Sequence, residues 1–134
     1  MSKFTYTWQL WFNKAAKDLR TARALLDLNE NDYLENAIFL CQQGAEKSIK
    51  GYLAKHKIRF KKTHDIKFLV DLLENLNPDL AESLRPAEIL STYAVAVRYP
   101  EEVEATEPLV IDRDLTEGAF KIASWAFKEL TVQV

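Results

Sequence analysis

The sequence has little glycine, proline or cysteine, and these scarcities restrict the fold class. Three Gly and four Pro in 134 residues are too few for the many tight turns of a β-sandwich or β-barrel. The single cysteine, Cys41, excludes an intrachain disulfide and is typical of a reducing compartment. No uninterrupted apolar run reaches the about 18 residues of a spanning helix, and the N-terminus lacks the apolar core of a signal peptide. We therefore expect a cytoplasmic protein without membrane association.

Histidine, cysteine and glycine, the residue types of zinc sites and phosphate-binding loops, are scarce. The only two histidines, His56 and His64, lie in one loop, and there is no second cysteine to complete a zinc site. Loops that cradle phosphates need several glycines, whereas Gly44, Gly51 and Gly118 are isolated within helical patterns. Nothing marks a nucleophile elbow. The sequence therefore predicts no metal and no cofactor.

Helical periodicity fills most of the chain. Apolar residues recur at three- and four-residue steps in successive stripes, as on one face of an α-helix. The residues expected to cap helix N-termini are Thr7, Asp32, Thr63, Asn77 and Asp112, and Pro86 is expected to begin a further helix. These signals predict an all-α fold, an up-and-down bundle of four long helices plus a short fifth helix, in a single domain over residues 1–134.

Charge is distributed unevenly along the chain. Residues 1–67 carry 13 Lys/Arg against 7 Asp/Glu, a net charge of +6, whereas residues 68–134 carry 5 against 13, a net charge of −8. The basic half is densest over residues 55–62. Such asymmetry indicates a polyanion-binding surface, complementary charges that orient subunits against each other, or simply a solvated loop. Within this loop, Ile58 and Phe60 are expected to dock it on the core rather than to stack on bases.

The most distinctive local pattern lies at residues 41–53, which read CQQGAEKSIKGYL. Glu46 and Lys50 are four residues apart, the spacing of a favourable helical ion pair. Gln42 lies one turn before Glu46, so polar residues form a row beside the apolar stripe, which we interpret as a solvated surface. Cys41 falls on the apolar stripe and is expected to be a small core residue rather than a reactive thiol.

Together with two later motifs, this pattern resembles the HEPN (higher eukaryotes and prokaryotes nucleotide-binding) domain. The later motifs are KTHDI at residues 62–66 and Arg98-Tyr99-Pro100, and the resemblance extends from about Trp8 to Leu130. It implies a helical bundle that typically forms a homodimer. Some members of the family bind nucleotides, and many act in toxin–antitoxin or defence systems beside a minimal nucleotidyltransferase.

The resemblance also implies a site. The residues it suggests for nucleotide or anion binding are Lys47, Lys50, Lys62, His64, Arg98 and Tyr99. Ribonuclease members carry an Arg and a His separated by four to six residues, but the corresponding positions after Arg98 are Val103, Glu104 and Ala105. The remaining catalytic candidates are Arg98 itself and His64, and nothing in the sequence places these two side by side.

Three functions follow as hypotheses. The first is an accessory or non-catalytic module, a homodimer that binds nucleotide or RNA or partners a minimal nucleotidyltransferase. The second is a metal-independent endoribonuclease with a degenerate Arg/His site, and the third is a dimerisation adaptor without ligand. Structural roles are the alternative for single residues: His64 bonded to a neighbouring carboxylate, Arg98 complementing a helix dipole, and Lys47 and Lys50 in ion pairs.

Overall fold

Six α-helices contain most of the residues that this computed structural model describes, which are residues 7–99 and 109–132. They are α1 (Trp8–Asp27), α2 (Leu34–Lys55), α3 (Ile66–Glu74), α4 (Pro78–Leu84), α5 (Ile89–Arg98) and α6 (Arg113–Val132). Short 3-10 turns precede α2 and α5, and these two ranges contain no strand. The all-α class is confirmed. The helical residues divide into three long and three short helices, where the periodicity had indicated four long helices and one short.

Three of the expected helix caps are present. Thr7, Asn77 and Asp112 each accept a hydrogen bond from the backbone N–H three residues further on, at 3.3, 3.2 and 2.8 Å. Pro78 follows Asn77 at the first helical position, where its missing N–H costs nothing. The starts of α1, α4 and α6 are thus set by local chemistry that the sequence displays.

The other three expected helix starts were wrong by a few residues. Asp32 lies inside the first 3-10 turn, and α2 begins after it without a side-chain cap. Asp65, not Thr63, caps α3 by accepting from the N–H of Lys67 at 3.0 Å. Pro86 lies in the second 3-10 turn, before α5 begins. Neighbouring polar residues offer caps of similar strength, and packing of the helix selects among them.

Helix α2 lies at the centre of the bundle. It packs against α1, α3, α5 and α6, so most of its residues are buried on every side. The largest fully buried apolar side chains come from all six helices: Leu26, Ile38, Ile49, Leu53, Ile66, Leu69, Leu73, Leu84, Leu90 and Leu130. Because α2 has almost no solvated face, its polar residues must find partners inside the protein.

Two local predictions about the core are confirmed. Cys41 is fully buried, and burial raises the pKa of its thiol to about 12, so the residue is unreactive in the folded protein. Ile58 and Phe60 pack against the core and dock the basic loop.

Within the residues described here, no helix has the length and apolarity to cross a bilayer.

Candidate functional site: a groove between α2 and α5

A groove of about 640 Å³ opens between α2, the segment 63–65 and α5. Its lining is partly apolar and partly hydrogen-bonding: Phe39, Gln42, Gln43, Thr63, His64, Asp65, Ser91, Thr92, Ala94, Val95, Arg98 and Tyr99. A volume of this size, with a few convergent polar groups, is typical of sites for small molecules. The groove brings together residues that are up to 60 positions apart in sequence.

Beneath the groove, the polar row of α2 is buried rather than solvated, so the interpretation as a solvated surface was wrong. Gln42, Glu46 and Lys50 are only 1%, 2% and 5% exposed. The Glu46 carboxylate accepts from Gln42 Nε2 at 2.9 Å and from Lys50 Nζ at 2.9 Å. It also lies 3.0 Å from His64 Nδ1. The predicted Glu46–Lys50 ion pair is confirmed, and it stands inside a buried network.

This network fixes the segment that carries His64. Lys50 Nζ donates to the Thr63 carbonyl at 2.7 Å, and Gln42 Nε2 donates to the His64 carbonyl at 3.2 Å. From the other side, Ser91 Oγ accepts from the N–H of Ile66 at 3.1 Å. Both α2 and α5 therefore hold the segment, and the His64 ring is presented from a rigid support.

His64 is bonded to a neighbouring carboxylate, as its structural role predicted, and it also lines the groove. Its imidazole is bonded to the Glu46 carboxylate through Nδ1, and its side chain is 64% exposed. When Glu46 is ionised, Nδ1 carries the proton that bonds to the carboxylate. In the neutral ring Nε2 is then an acceptor, and in the protonated ring it is a donor. No described residue bonds to Nε2.

Arg98 lies at the other side of the groove as the last residue of α5, where its charge also complements the helix dipole. Its guanidinium carbon lies 4.6 Å from the centre of the Phe39 ring. Among residues 7–99 and 109–132, no carboxylate pairs with Arg98. The following residue, Tyr99, is 45% exposed. A cation held on an aromatic face and facing a groove is suited to bind an anion.

The remaining suggested site residues lie elsewhere. Lys47 Nζ is 2.6 Å from a carboxylate oxygen of Asp18 on α1, and Lys50 is buried beside Glu46. Lys62 lines a different groove near the start of α1. The structure thus gathers His64, Arg98 and Tyr99 in one place and separates the three lysines from them.

Several lining residues were not singled out from the sequence. The four-residue spacing of Gln42, Glu46 and Lys50 was a usable signal, because a polar row beside an apolar stripe can be buried when a helix is central. Phe39, Ser91 and Thr92 had no distinguishing pattern, and only the packing of α5 against α2 brings them to the groove. In the parts described, no three His, Cys, Asp or Glu residues are placed to hold a metal ion.

The chain is similar to a known protein family and to two solved structures. The family model described as HEPN domain matches residues 8–129. The crystal structure of ST0689, an archaeal HEPN homologue, is 25% identical, with a TM-score of 0.70 over 96% of this chain and 98% of that one. TT1696 from Thermus thermophilus is 27% identical, with a TM-score of 0.75 over 95% and 98% of the two chains. No curated protein sequence matches significantly.

Proposed function

Because the chain belongs to the HEPN domain family, we propose that it is a cytoplasmic, accessory HEPN module that binds a nucleotide in the α2–α5 groove. The observation that supports this most is the position of Arg98. The groove holds a guanidinium that has no carboxylate partner in the described residues, opposite an imidazole fixed by Glu46. A phosphate placed between Arg98 and His64 would neutralise the guanidinium and, when the imidazole is protonated, accept a hydrogen bond from His64 Nε2.

The rest of the groove suits the remainder of a nucleotide. Phe39, Val95 and Tyr99 provide apolar and aromatic surface for a base, and Gln43, Ser91 and Thr92 provide donors and acceptors for its edge or for a ribose. The volume of about 640 Å³ is sufficient for a mononucleotide. Lys47 and Lys50 have no part in this proposal, because carboxylates already hold their ammonium groups.

Replacing Arg98 with glutamine tests the proposal. We expect ATP or GTP to bind the natural protein, and Arg98→Gln to weaken binding about tenfold or more, since a charged hydrogen bond to phosphate contributes roughly 1.5–3 kcal/mol. Titration calorimetry with ATP, GTP and pyrophosphate measures this. Arg20→Gln, at an exposed position of α1, removes the same charge and should leave affinity unchanged. Equal binding by both variants would exclude the groove as the site.

A second function, metal-independent ribonuclease activity, is favoured by one observation. His64 bonded to Glu46 has the arrangement in which a carboxylate orients an imidazole for proton transfer. Incubation of the protein with a labelled RNA and with its 2′-deoxy equivalent distinguishes the two functions. Cleavage of the RNA but not of its 2′-deoxy equivalent, abolished by Arg98→Ala and by His64→Ala, would establish ribonuclease activity. Binding without cleavage would leave the accessory module.

We further propose that the module acts as a homodimer. The family resemblance supports this, and so do large apolar residues that remain exposed outside the α2–α5 groove, such as Ile89 on α5 and Trp125 on α6, which are 40% and 42% exposed. Sedimentation equilibrium at tens of micromolar is expected to give twice the 15.5 kDa of one chain. A single monomeric species would refute it. A dimer that binds no nucleotide would favour the adaptor, and a minimal nucleotidyltransferase encoded beside this protein would favour a partner role.

A further inference from the structure

The two ring nitrogens of His64 have different surroundings. Nδ1 lies 3.0 Å from Oε1 of the Glu46 carboxylate, which is only 2% exposed. The His64 side chain as a whole is 64% exposed and lines the α2–α5 groove, and Nε2 bonds to no described residue. One nitrogen is thus engaged with the interior of the protein, and the other is left for a ligand.

The Glu46 carboxylate is held in a fixed position. Gln42 Nε2 donates to the same oxygen as His64, at 2.9 Å, and Lys50 Nζ donates to the other oxygen at 2.9 Å. Both partners come from α2, one turn before and one turn after Glu46, so the carboxylate is held from two sides. Because an ionised carboxylate only accepts hydrogen bonds, His64 bonds to it through a proton on Nδ1.

This bond decides what His64 offers to the groove. A neutral imidazole has a single N–H, and here that N–H is on Nδ1. Nε2 then keeps a lone pair, which repels the oxygen of a phosphate. Uptake of a proton puts a second N–H on Nε2 and turns it into a charged donor. Without Glu46 the neutral ring could carry its N–H on Nε2 and donate to the phosphate with no added proton.

The charges around the ring oppose one another. The ionisable side chains of the groove and of the network beneath it are Glu46 and Lys50 on α2, Asp65 at the start of α3, and Arg98 and Tyr99 at the end of α5. The two carboxylates favour the imidazolium, and the ammonium and guanidinium oppose it, whereas a phenol is ordinarily uncharged near neutral pH. An anion bound to Arg98 removes part of the opposition and adds negative charge near the ring. Binding of the anion therefore favours uptake of a proton.

We propose that Glu46 is a positioning residue that makes anion binding in the α2–α5 groove depend on a proton gained by His64. This dependence presupposes the proposed nucleotide site and adds its regulation by pH. Because the protonated ring binds the anion more tightly, affinity is highest at a pH where His64 is protonated without ligand. It is lost as pH rises through the titration of His64 in the complex, by at most tenfold per pH unit for one proton.

Titration calorimetry with ATP over about pH 5.5 to 8.5 tests the dependence. A phosphate monoester itself titrates near pH 6, so the comparison is with His64→Gln, in which the change of the ligand is the same. We expect the natural protein to gain about tenfold more affinity than this variant between about pH 8 and pH 6. It should also take up more protons on binding, measured from the heats in two buffers of different ionisation enthalpy.

A histidine outside the groove gives the matched control. The protein has two histidines, and His56 follows α2 with its ring 4.5 Å from that of Tyr52. His56→Gln should keep the pH dependence of the natural protein. With one histidine left, its long-range ¹H–¹⁵N spectrum reports the tautomer of His64 without any ligand. We expect the neutral ring to carry its proton on Nδ1.

Glu46→Gln separates positioning from a structural role. A glutamine amide can donate to Nδ1, which allows the neutral ring of His64 to carry its proton on Nε2. We expect the pH dependence of ATP binding to flatten and the affinity at about pH 8 to rise severalfold. Damage to the structure alone would instead weaken binding at every pH. Should this variant not fold, His64→Gln and the tautomer still decide the matter, because His64 is largely exposed.

Two outcomes would overturn the proposal and leave the nucleotide site in place. They are parallel pH profiles of the natural protein and His64→Gln, with binding still lost in Arg98→Gln, and a neutral His64 ring protonated on Nε2. Absence of ATP binding at every pH would instead refute the nucleotide site, and with it this dependence.

Discussion

Glu46→Leu is expected to destabilise the protein by about 3–5 kcal/mol, a large part of the stability of an ordinary domain. The Glu46 carboxylate is 2% exposed and contacts three side chains, those of Gln42, Lys50 and His64. Leucine would leave the Lys50 ammonium buried without a counter-charge. The ammonium of Lys50 would keep the Thr63 carbonyl and the faces of the Trp11 and Phe60 rings as neighbours. These contacts compensate only part of the free energy that burying an unpaired charge costs.

Urea denaturation followed by circular dichroism measures the effect, and two further variants control it. Lys67→Met breaks an ion pair of the same i,i+4 spacing on the surface, that between Lys67 and Asp71, and should leave the free energy of unfolding nearly unchanged. The double variant Glu46→Leu/Lys50→Met removes both buried charges and should regain part of the loss. A double variant no more stable than Glu46→Leu alone would contradict the idea of a coupled buried pair.

Gly51→Ala is expected to destabilise the protein relative to Gly118→Ala by about 1–3 kcal/mol. A Cβ at Gly51 would lie 2.7 Å from Cδ1 and Cε1 of the Phe12 ring and 3.1 Å from Trp11 Cβ. The ring cannot easily move, because Trp8 and Phe127 pack edge-on against it at 5.8 and 6.5 Å between ring centres. Helix α1 can therefore approach α2 this closely only where α2 has no side chain.

Gly118 supplies the matched comparison for this prediction. It lies within α6, and a methyl group added at its Cα would meet no atom within 4 Å, so alanine there should stabilise the protein by up to about 1 kcal/mol through helix propensity. The same gain applies at Gly51, so the difference in unfolding free energy isolates the contact with α1. Gly51→Ala combined with Phe12→Leu should lose less than the sum of the two changes. Equal stabilities of Gly51→Ala and Gly118→Ala would show that α1 and α2 can move apart without cost.

Much of the fold could be predicted because its determinants are local. Apolar residues at three- and four-residue steps generate amphipathic helices wherever they are placed, and the caps at Thr7, Asn77 and Asp112 depend on atoms within three residues. The caps at Asp32 and Thr63 were wrong for a related reason. Several polar residues near each helix start can form equivalent bonds, and the sequence contains no information on which start packs best.

The candidate site was only partly accessible to the same reasoning. The motifs at residues 41–53 and 62–66 and at Arg98-Tyr99 pointed to His64, Arg98 and Tyr99, which line one groove. They could not indicate that Lys47 and Lys50 are occupied by carboxylates. An ion pair with Asp18, 29 residues away, requires that α1 and α2 already be packed together.

By itself, then, the sequence determined the all-α class, the helix stripes, the buried Cys41 and the family resemblance, since each depends on the residue type and its near neighbours. Only the tertiary structure decided that α2 is central, and this single fact buried Gln42, Glu46 and Lys50. Burial makes their mutual bonds strong, because few water molecules compete for them. Those bonds fix the segment that carries His64 opposite Arg98, a placement that depends on contacts between residues distant in the chain.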